Sequence, residues 1–369
     1  MPSTLGDKVT LLPKFSLVIA KTLVSVFTSP FRGDDGAPTV GEHVMNTAVR
    51  TMITNFTTGQ LQMIMPPFVS TYESYCKKQK LTPNIVDIPN TTNKGFWIGN
   101  PETATYVMVY YHGGGFVLPG LPPHLDMLVL FVKWLGGNLA IFCNGYTLAP
   151  QGLYPLQISE SVEALRYVLS LPGRAPATTL LGGDSAGGNL VLAVLSHISG
   201  HPHPNSKVVK PLELTPKGQK LHGALMIAPW VSSDVKRFRS MTEFADRDTV
   251  NGTCANYWIE TYKGGASEKD DEYTVPELAP AGWWSGTEDT VASTLVTAGE
   301  QEVLRDAILS FTSKFKEGTS GGATLKVVVG KKEVHDAPLA PKPDAELDRL
   351  GDACQEAAIK MWLKDRCGQ

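Results

Sequence analysis

The sequence predicts an α/β protein: a mostly parallel sheet of about eight strands with helices on both faces. Three observations predict it. Short runs that are apolar throughout, rather than alternating, recur along the chain and mark strands buried on both faces. Stretches of helical apolar periodicity separate many of them, as crossover connections between parallel strands require. A chain of 369 residues with 42% hydrophobic and 19% charged content supplies core enough for one large domain with embellishments.

The elements follow in order. Between Pro13 and Pro30 lies KFSLVIAKTLVSVFTS, a helix of roughly 24 Å at about 1.5 Å per residue, short of the roughly 30 Å core of a bilayer. Lys14, Lys21, Ser25 and Thr28 fall along one face, which makes the helix amphipathic. No small-residue cleavage site follows it. Residues 1–75 are therefore expected to form a cap segment over the protein's own apolar mouth. Peripheral contact with a membrane surface is the second reading and an anchor the third. Residues 76–369 form the α/β domain. Asn84–Ile88 and Gly95–Ile98 lie close together and read as an antiparallel edge. Tyr106–Tyr111, Leu139–Asn144, Thr179–Gly182, Ala224–Ala228, Ser293–Ala298 and Thr324–Val329 continue the sheet. Helical patterns run over Ser159–Leu169, Asn189–Ile198 and Val303–Phe315. His201–Gly218 and Lys263–Gly286 read as rim loops, and a cap insertion spans about 236–285. The HPHP run at His201–Pro204 reads as a solvated loop rather than a metal site.

Several function classes drop out. A net charge of −3 gives no electrostatic footprint for nucleic acid. Cys76, Cys143, Cys254, Cys354 and Cys367 are scattered and never form a CxxC pair, which argues against zinc and against a disulfide framework. They read as free thiols of a reducing, cytoplasmic setting. Sequons at Asn55, Asn90 and Asn251 matter only for a secreted chain.

Two motifs carry chemistry. In LLGGDSAGGNL, Gly183-Asp184-Ser185-Ala186-Gly187 fits G-x-S-x-G, directly after an apolar strand and directly before a helix. That is the setting of a nucleophile elbow, where small neighbours let strand and helix cross and the serine hydroxyl stands clear of the sheet. The second is YYHGGGF, residues 110–116, where a buried strand ends on three glycines that each cost backbone entropy. Acyl transfer through a serine builds negative charge on a carbonyl oxygen, which preorganised N–H donors must meet. Ala186 supplies one donor, and Gly113 and Gly114 the others, since without a Cβ the ester can approach their backbone. His112 precedes the turn and is expected to anchor the loop rather than act as base.

HGGGF followed by GDSAGG resembles the hormone-sensitive-lipase family of α/β hydrolases. GYTLAPQGLYPLQISE between them is similar to that family's Y-x-L-A-P-E segment, with Gln151 where glutamate is usual. The resemblance runs from about Asn84 to the C-terminus. Trp283–Trp284 and LVTAGEQEVLRD resemble most the fungal branch that includes steryl acetyl hydrolases. The resemblance implies an α/β-hydrolase fold with an eight-stranded sheet. Its cap would come from the N-terminal segment and the insertion after the sixth strand. The chain order would be serine, acid, histidine.

A serine nucleophile needs a base and an orienting acid. His197, His201 and His203 follow the elbow too closely and His222 precedes the sixth strand. His335 alone follows the last strand. GEQEVLRD offers Glu300, Glu302 and Asp306 as acid. The family pattern places the triad acid at Glu302, where aspartate is usual, and leaves Asp306 to a salt bridge or cap. Asp184 and Asp336 flank triad members but are expected to point away, as structural residues. Trp230, Trp258 and Trp283, with neighbours such as Met52, Met65 and Tyr257, are candidates to line an apolar pocket. The implied activity is hydrolysis of a short, acetyl-like ester of a bulky hydrophobic alcohol, a sterol or specialised metabolite, without metal or cofactor. Acyl transfer, dehydration or cyclisation on the same site is the alternative, and a non-catalytic receptor a further one. The partner is a small hydrophobic ester; a homodimer stays open.

Overall fold

Uniformly apolar strands make sense only if both faces of the sheet are covered, and they are. The computed structural model describes residues 5–33, 36–319 and 325–368. In chain order the elements are α1 (Leu5–Thr28), α2 (Val40–Asn55), α3 (Thr58–Ile64), α4 (Phe68–Gln79), β1 (Ile85–Asp87), β2 (Lys94–Ile98), β3 (Tyr106–Tyr111), α5 (Pro122–Trp134), β4 (Leu139–Asn144), α6 (Leu156–Ser170), β5 (Thr179–Asp184), α7 (Ala186–Ile198), β6 (Gly223–Ile227), α8 (Ser240–Glu243), α9 (Gly252–Lys263), β7 (Thr294–Gly299), α10 (Arg305–Gly318), β8 (Leu325–Gly330), α11 (Asp344–Leu350) and α12 (Gln355–Cys367). Each strand lies within a residue or two of its sequence expectation. Thr324, where the last was expected to begin, falls outside the described residues.

The sheet order is β1-β2-β4-β3-β5-β6-β7-β8. β2 runs antiparallel to both β1 and β4, and every other pairing is parallel. Alternation along β3 divides the core: Val107, Val109 and Tyr111 pack into one layer with α6, α7 and α10, whereas Met108 and Tyr110 pack into the other with α5 and α12. In this open α/β sheet the carboxyl ends of the strands are where a site is expected. Tyr111 pairs with Gly183, so the glycine loop after β3 and the turn after β5 leave the sheet at one level. Gly299 pairs with Gly330, which brings the ends of β7 and β8 alongside each other.

The first helix differs from its expected use. α1 packs on α2 and α3 through Leu11, Phe15, Val18 and the buried Ser25. Lys14 Nζ donates to Gln60 Oε1 at 2.7 Å, and Asp7 and Gln60 tie the start of α1 to α3. The polar stripe thus turns partly toward the protein. Leu5, Val9, Leu12, Ile19, Leu23 and Phe27 are exposed, and at 100° per residue they fall within an arc of about 80°. α9 rather than α1 approaches the mouth of the sheet. The HPHP run also departs from expectation. His203 is buried, with the Tyr154 hydroxyl 2.9 Å from its Nε2, and His201 stacks on Trp283. Aromatic neighbours, not solvent, hold this loop.

Candidate active site

The turn after β5 is built by close approach. A Cβ on Gly187 would lie 1.8 Å from the Tyr111 carbonyl oxygen, and one on Gly183 would lie 2.4 Å from the Gly187 backbone. Only glycine fits where strand and helix cross. Ser185 sits at φ 50° and ψ −115°, a positive-φ conformation rare for a residue with a side chain. The Ser185 N–H donates to the Ile227 carbonyl at 2.9 Å, and the Trp230 N–H donates to the Ser185 carbonyl at 2.8 Å. The strained turn is therefore held from the β6 side, and its hydroxyl faces the histidine.

His335 Nε2 lies 2.8 Å from Ser185 Oγ, and its Nδ1 lies 2.7 Å from Glu302 Oε1. The second Glu302 oxygen accepts from the Gly299 N–H at 2.7 Å. Glu302 is fully buried, so both carboxylate oxygens are spoken for and the imidazole has one orientation. Ser185, His335 and Glu302 thus stand in one hydrogen-bonded line. Asp306 is elsewhere: its Oδ2 accepts from the Ser240 N–H at 2.9 Å and its Oδ1 pairs with Arg305.

Gly113, Gly114 and Ala186 lie beside this line. Among the described residues none of their N–H groups has an acceptor within the protein, which leaves them free for an oxyanion. A Cβ on Gly113 would come within 2.2 Å of Asp184, and one on Gly115 within 2.2 Å of the Trp258 ring. His112 behaves as a loop anchor. Its Nδ1–H donates to the Gly113 carbonyl at 2.7 Å, its ring stacks on Tyr146, and Tyr146 donates to its carbonyl. Burial lowers its pKa to about 4, so it stays neutral. Asp184 is structural, accepting from the Tyr110 hydroxyl at 2.7 Å and paired with His124 at 3.1 Å.

Two further carboxylates stand at the triad, one that no sequence signal marked and one whose direction was misjudged. Asp248 is buried beneath the triad and accepts from the backbone N–H groups of His335 at 2.9 Å and Val303 at 2.7 Å. It clamps the acid loop to the histidine loop, and burial pushes its pKa up to about 6. No motif marks it, because its partners lie 55 and 87 residues downstream. Asp336 corrects an expectation. Rather than pointing away, its Oδ2 lies 3.1 Å from His335 Nε2, because a left-handed backbone at φ 51° folds the side chain back over the ring.

A cavity of about 20 Å³ sits at Ser185, walled by Gly115, Trp230, Val250, Cys254, Trp258 and Leu304. Trp230 and Trp258 are in it. Trp283 is not: it stacks on His201 and donates Nε1–H to Ser196 Oγ at 3.0 Å, because its turn docks on the far end of α7. Trp284 is likewise core, against Phe311 and Phe315. A larger recess of about 500 Å³, lined by residues including Thr57, Tyr257 and Glu260, lies on the outer side of α9 and holds no triad residue.

An elbow serine, a histidine after the last strand and an acid after β7 define the α/β-hydrolase class of site. A family model of the α/β-hydrolase fold matches residues 108–339, and the chain belongs to that family. The chain is 30% identical over 177 residues to the carboxylesterase NlhH of Mycobacterium tuberculosis, an alignment covering 47% of this chain and 50% of that protein. The chain therefore spans about half the length of that relative. It is 27% identical over 243 residues to mug81 of Schizosaccharomyces pombe, whose name carries a steryl acetyl hydrolase assignment; that match covers 62% of this chain and 58% of mug81. An esterase structure from the bacterial hormone-sensitive-lipase family superimposes with a TM-score of 0.61 at 21% identity, covering 88% of this chain and 98% of the other. At that identity the likeness shows the fold.

Proposed function

We propose that the protein is a serine carboxylester hydrolase for short acyl groups, acetyl above all, carried on a bulky hydrophobic alcohol. The observation that carries the reaction type is the line Ser185–His335–Glu302 with contacts of 2.8 and 2.7 Å. His335 takes the hydroxyl proton as Ser185 Oγ attacks the ester carbonyl. The N–H groups of Gly113, Gly114 and Ala186 meet the oxyanion, and His335 returns the proton to the departing alcohol. Water then releases the acid by the same route.

The acyl preference rests on the cavity. At about 20 Å³ it has room for little more than one water molecule. An acyl chain that grows inward from Ser185 meets Trp230, Trp258 and Leu304, so the shortest acyl group disturbs the wall least. The steryl acetyl hydrolase name of mug81 points the same way. Rates on p-nitrophenyl esters from acetate to octanoate, followed by sterol acetates, test this. A maximum at acetate or propionate supports it, and a maximum at octanoate overturns it. Transfer of the acyl group to an added alcohol in preference to water would instead favour the acyltransferase reading.

The outward apolar stripe of α1 supports a second part of the proposal: the protein rests on a lipid surface, from which a hydrophobic ester can be drawn. α1 runs through Pro13, so with its following turn, Leu5–Phe31, it is longer than expected and long and apolar enough to cross a membrane, and 6% of an 18-residue apolar stretch within it is buried. Six large apolar side chains on one face supply the binding area.

A further inference from the structure

The base nitrogen of His335 has two partners. Ser185 Oγ lies 2.8 Å from Nε2 and Asp336 Oδ2 lies 3.1 Å from it. A neutral imidazole that donates Nδ1–H to Glu302 presents only a lone pair at Nε2. A serine hydroxyl can donate to that lone pair, but an ionised carboxylate cannot; the two would repel. The contact is favourable only when one more proton lies between Nε2 and Asp336. With that proton on Nε2, His335 cannot accept the one from Ser185.

We propose that Asp336 is a positioning residue that holds an extra proton at His335 Nε2 and so sets the pH below which Ser185 is inactive. This rests on the hydrolase reading above but concerns a residue outside the triad. In the resting site the His335 imidazolium stands between two carboxylates, Glu302 on Nδ1 and Asp336 on Nε2. Loss of the proton to solvent frees the lone pair, and the serine hydroxyl then donates to it.

The surroundings favour retention of that proton. Asp336 Oδ1 is buried with no hydrogen-bond partner among the described residues, so an ionised Asp336 leans on the imidazolium for its stabilisation. The groups facing the pair are largely anionic or neutral. Glu302 comes from the end of β7, Asp248 from the loop before α9, and Cys254 from α9 itself. Behind Asp336 stand Asp184 at the end of β5, Tyr110 from β3 and His124 from α5, with His112 beyond. Burial by itself would lower the His335 pKa, but the carboxylates of Asp336 and then Glu302 hold it well above the ordinary histidine value. Burial, with the Asp184 charge, likewise raises that of Asp336.

The test is Asp336→Asn, since asparagine tolerates the left-handed backbone, with Asp336→Gly as a second variant that keeps the same conformation without a side chain. The His335 titration is followed by NMR on histidine-labelled protein, its signals assigned by their loss in His335→Ala. In parallel, the rate at which a fluorophosphonate labels Ser185 is measured against pH. Removing an opposite charge this close moves the His335 midpoint down by roughly 1–3 units, and the acid limb of labelling moves with it. A folded Asn or Gly variant whose His335 midpoint stays where it is in the unaltered protein overturns the proposal. If Ser185 fails to label at any pH, the hydrolase reading falls, and the histidine titration still decides the role of Asp336.

Discussion

Glu302→Gln puts the acid of the proposed triad to a quantitative test. Glu302 serves two donors with two oxygens, the His335 Nδ1–H and the Gly299 N–H, each at 2.7 Å. Glutamine has one carbonyl oxygen for both. If that oxygen turns to His335, its NH2 group faces the Gly299 N–H, and a buried donor goes unpaired at a cost of about 1–3 kcal/mol in stability. If it turns to Gly299, the NH2 group donates to Nδ1, the ring proton moves to Nε2, and the ring no longer accepts from Ser185. In either pose the charge that steadies the imidazolium is gone. Turnover should fall on the order of 10³–10⁴-fold, as loss of the orienting charge does in other serine triads, or roughly 4–5.5 kcal/mol of barrier at about 1.36 kcal/mol per decade. The assay is kcat and kcat/KM on p-nitrophenyl acetate, with thermal unfolding to show that the chain folds. Glu302→Asp should recover much of the loss, because the charge remains and only a methylene is removed. A well-folded Glu302→Gln within tenfold of the unaltered rate would refute the assignment.

Asp306→Asn should leave kcat within a few-fold, since Asp306 touches Ser240 and Arg305 rather than His335, and should lower stability by about 1 kcal/mol in chemical denaturation. Trp258→Ala should open the wall over Gly115 and raise the butyrate-to-acetate rate ratio about tenfold or more, in line with roughly 1–3 kcal/mol per methylene in an apolar pocket; an unchanged ratio would place acyl selection elsewhere. Replacing Ile19, Leu23 and Phe27 together with serine should weaken sedimentation with phospholipid vesicles while rates on small soluble esters hold. Equal vesicle binding by both proteins would remove the lipid-surface reading.

The sheet was legible because strands buried on both faces carry an unbroken apolar signal: Leu139–Asn144 reads as a strand in isolation and is buried throughout. The elbow was legible because steric demand writes glycine at fixed spacings around Ser185. What the sequence hid was decided by distant partners. The orientation of α1 depends on Lys14 meeting Gln60, 46 residues away, and an amphipathic pattern does not say which face turns inward. Asp248 acts through backbone donors, which leave no side-chain signature. Asp336 was misjudged because its direction is set by a left-handed backbone angle, and no residue type announces that. Trp283 and Trp284 follow one another in sequence, yet one stacks on a loop histidine and the other fills the core.

The central claim, that Ser185 is a nucleophile driven by His335, is tested most directly by mass spectrometry of the full chain after reaction with a fluorophosphonate. The expected result is a single adduct that proteolytic mapping places on Ser185, absent in Ser185→Ala and slowed by orders of magnitude in His335→Ala. A folded protein that takes up no adduct across the pH range, or takes it up at another residue, would contradict it.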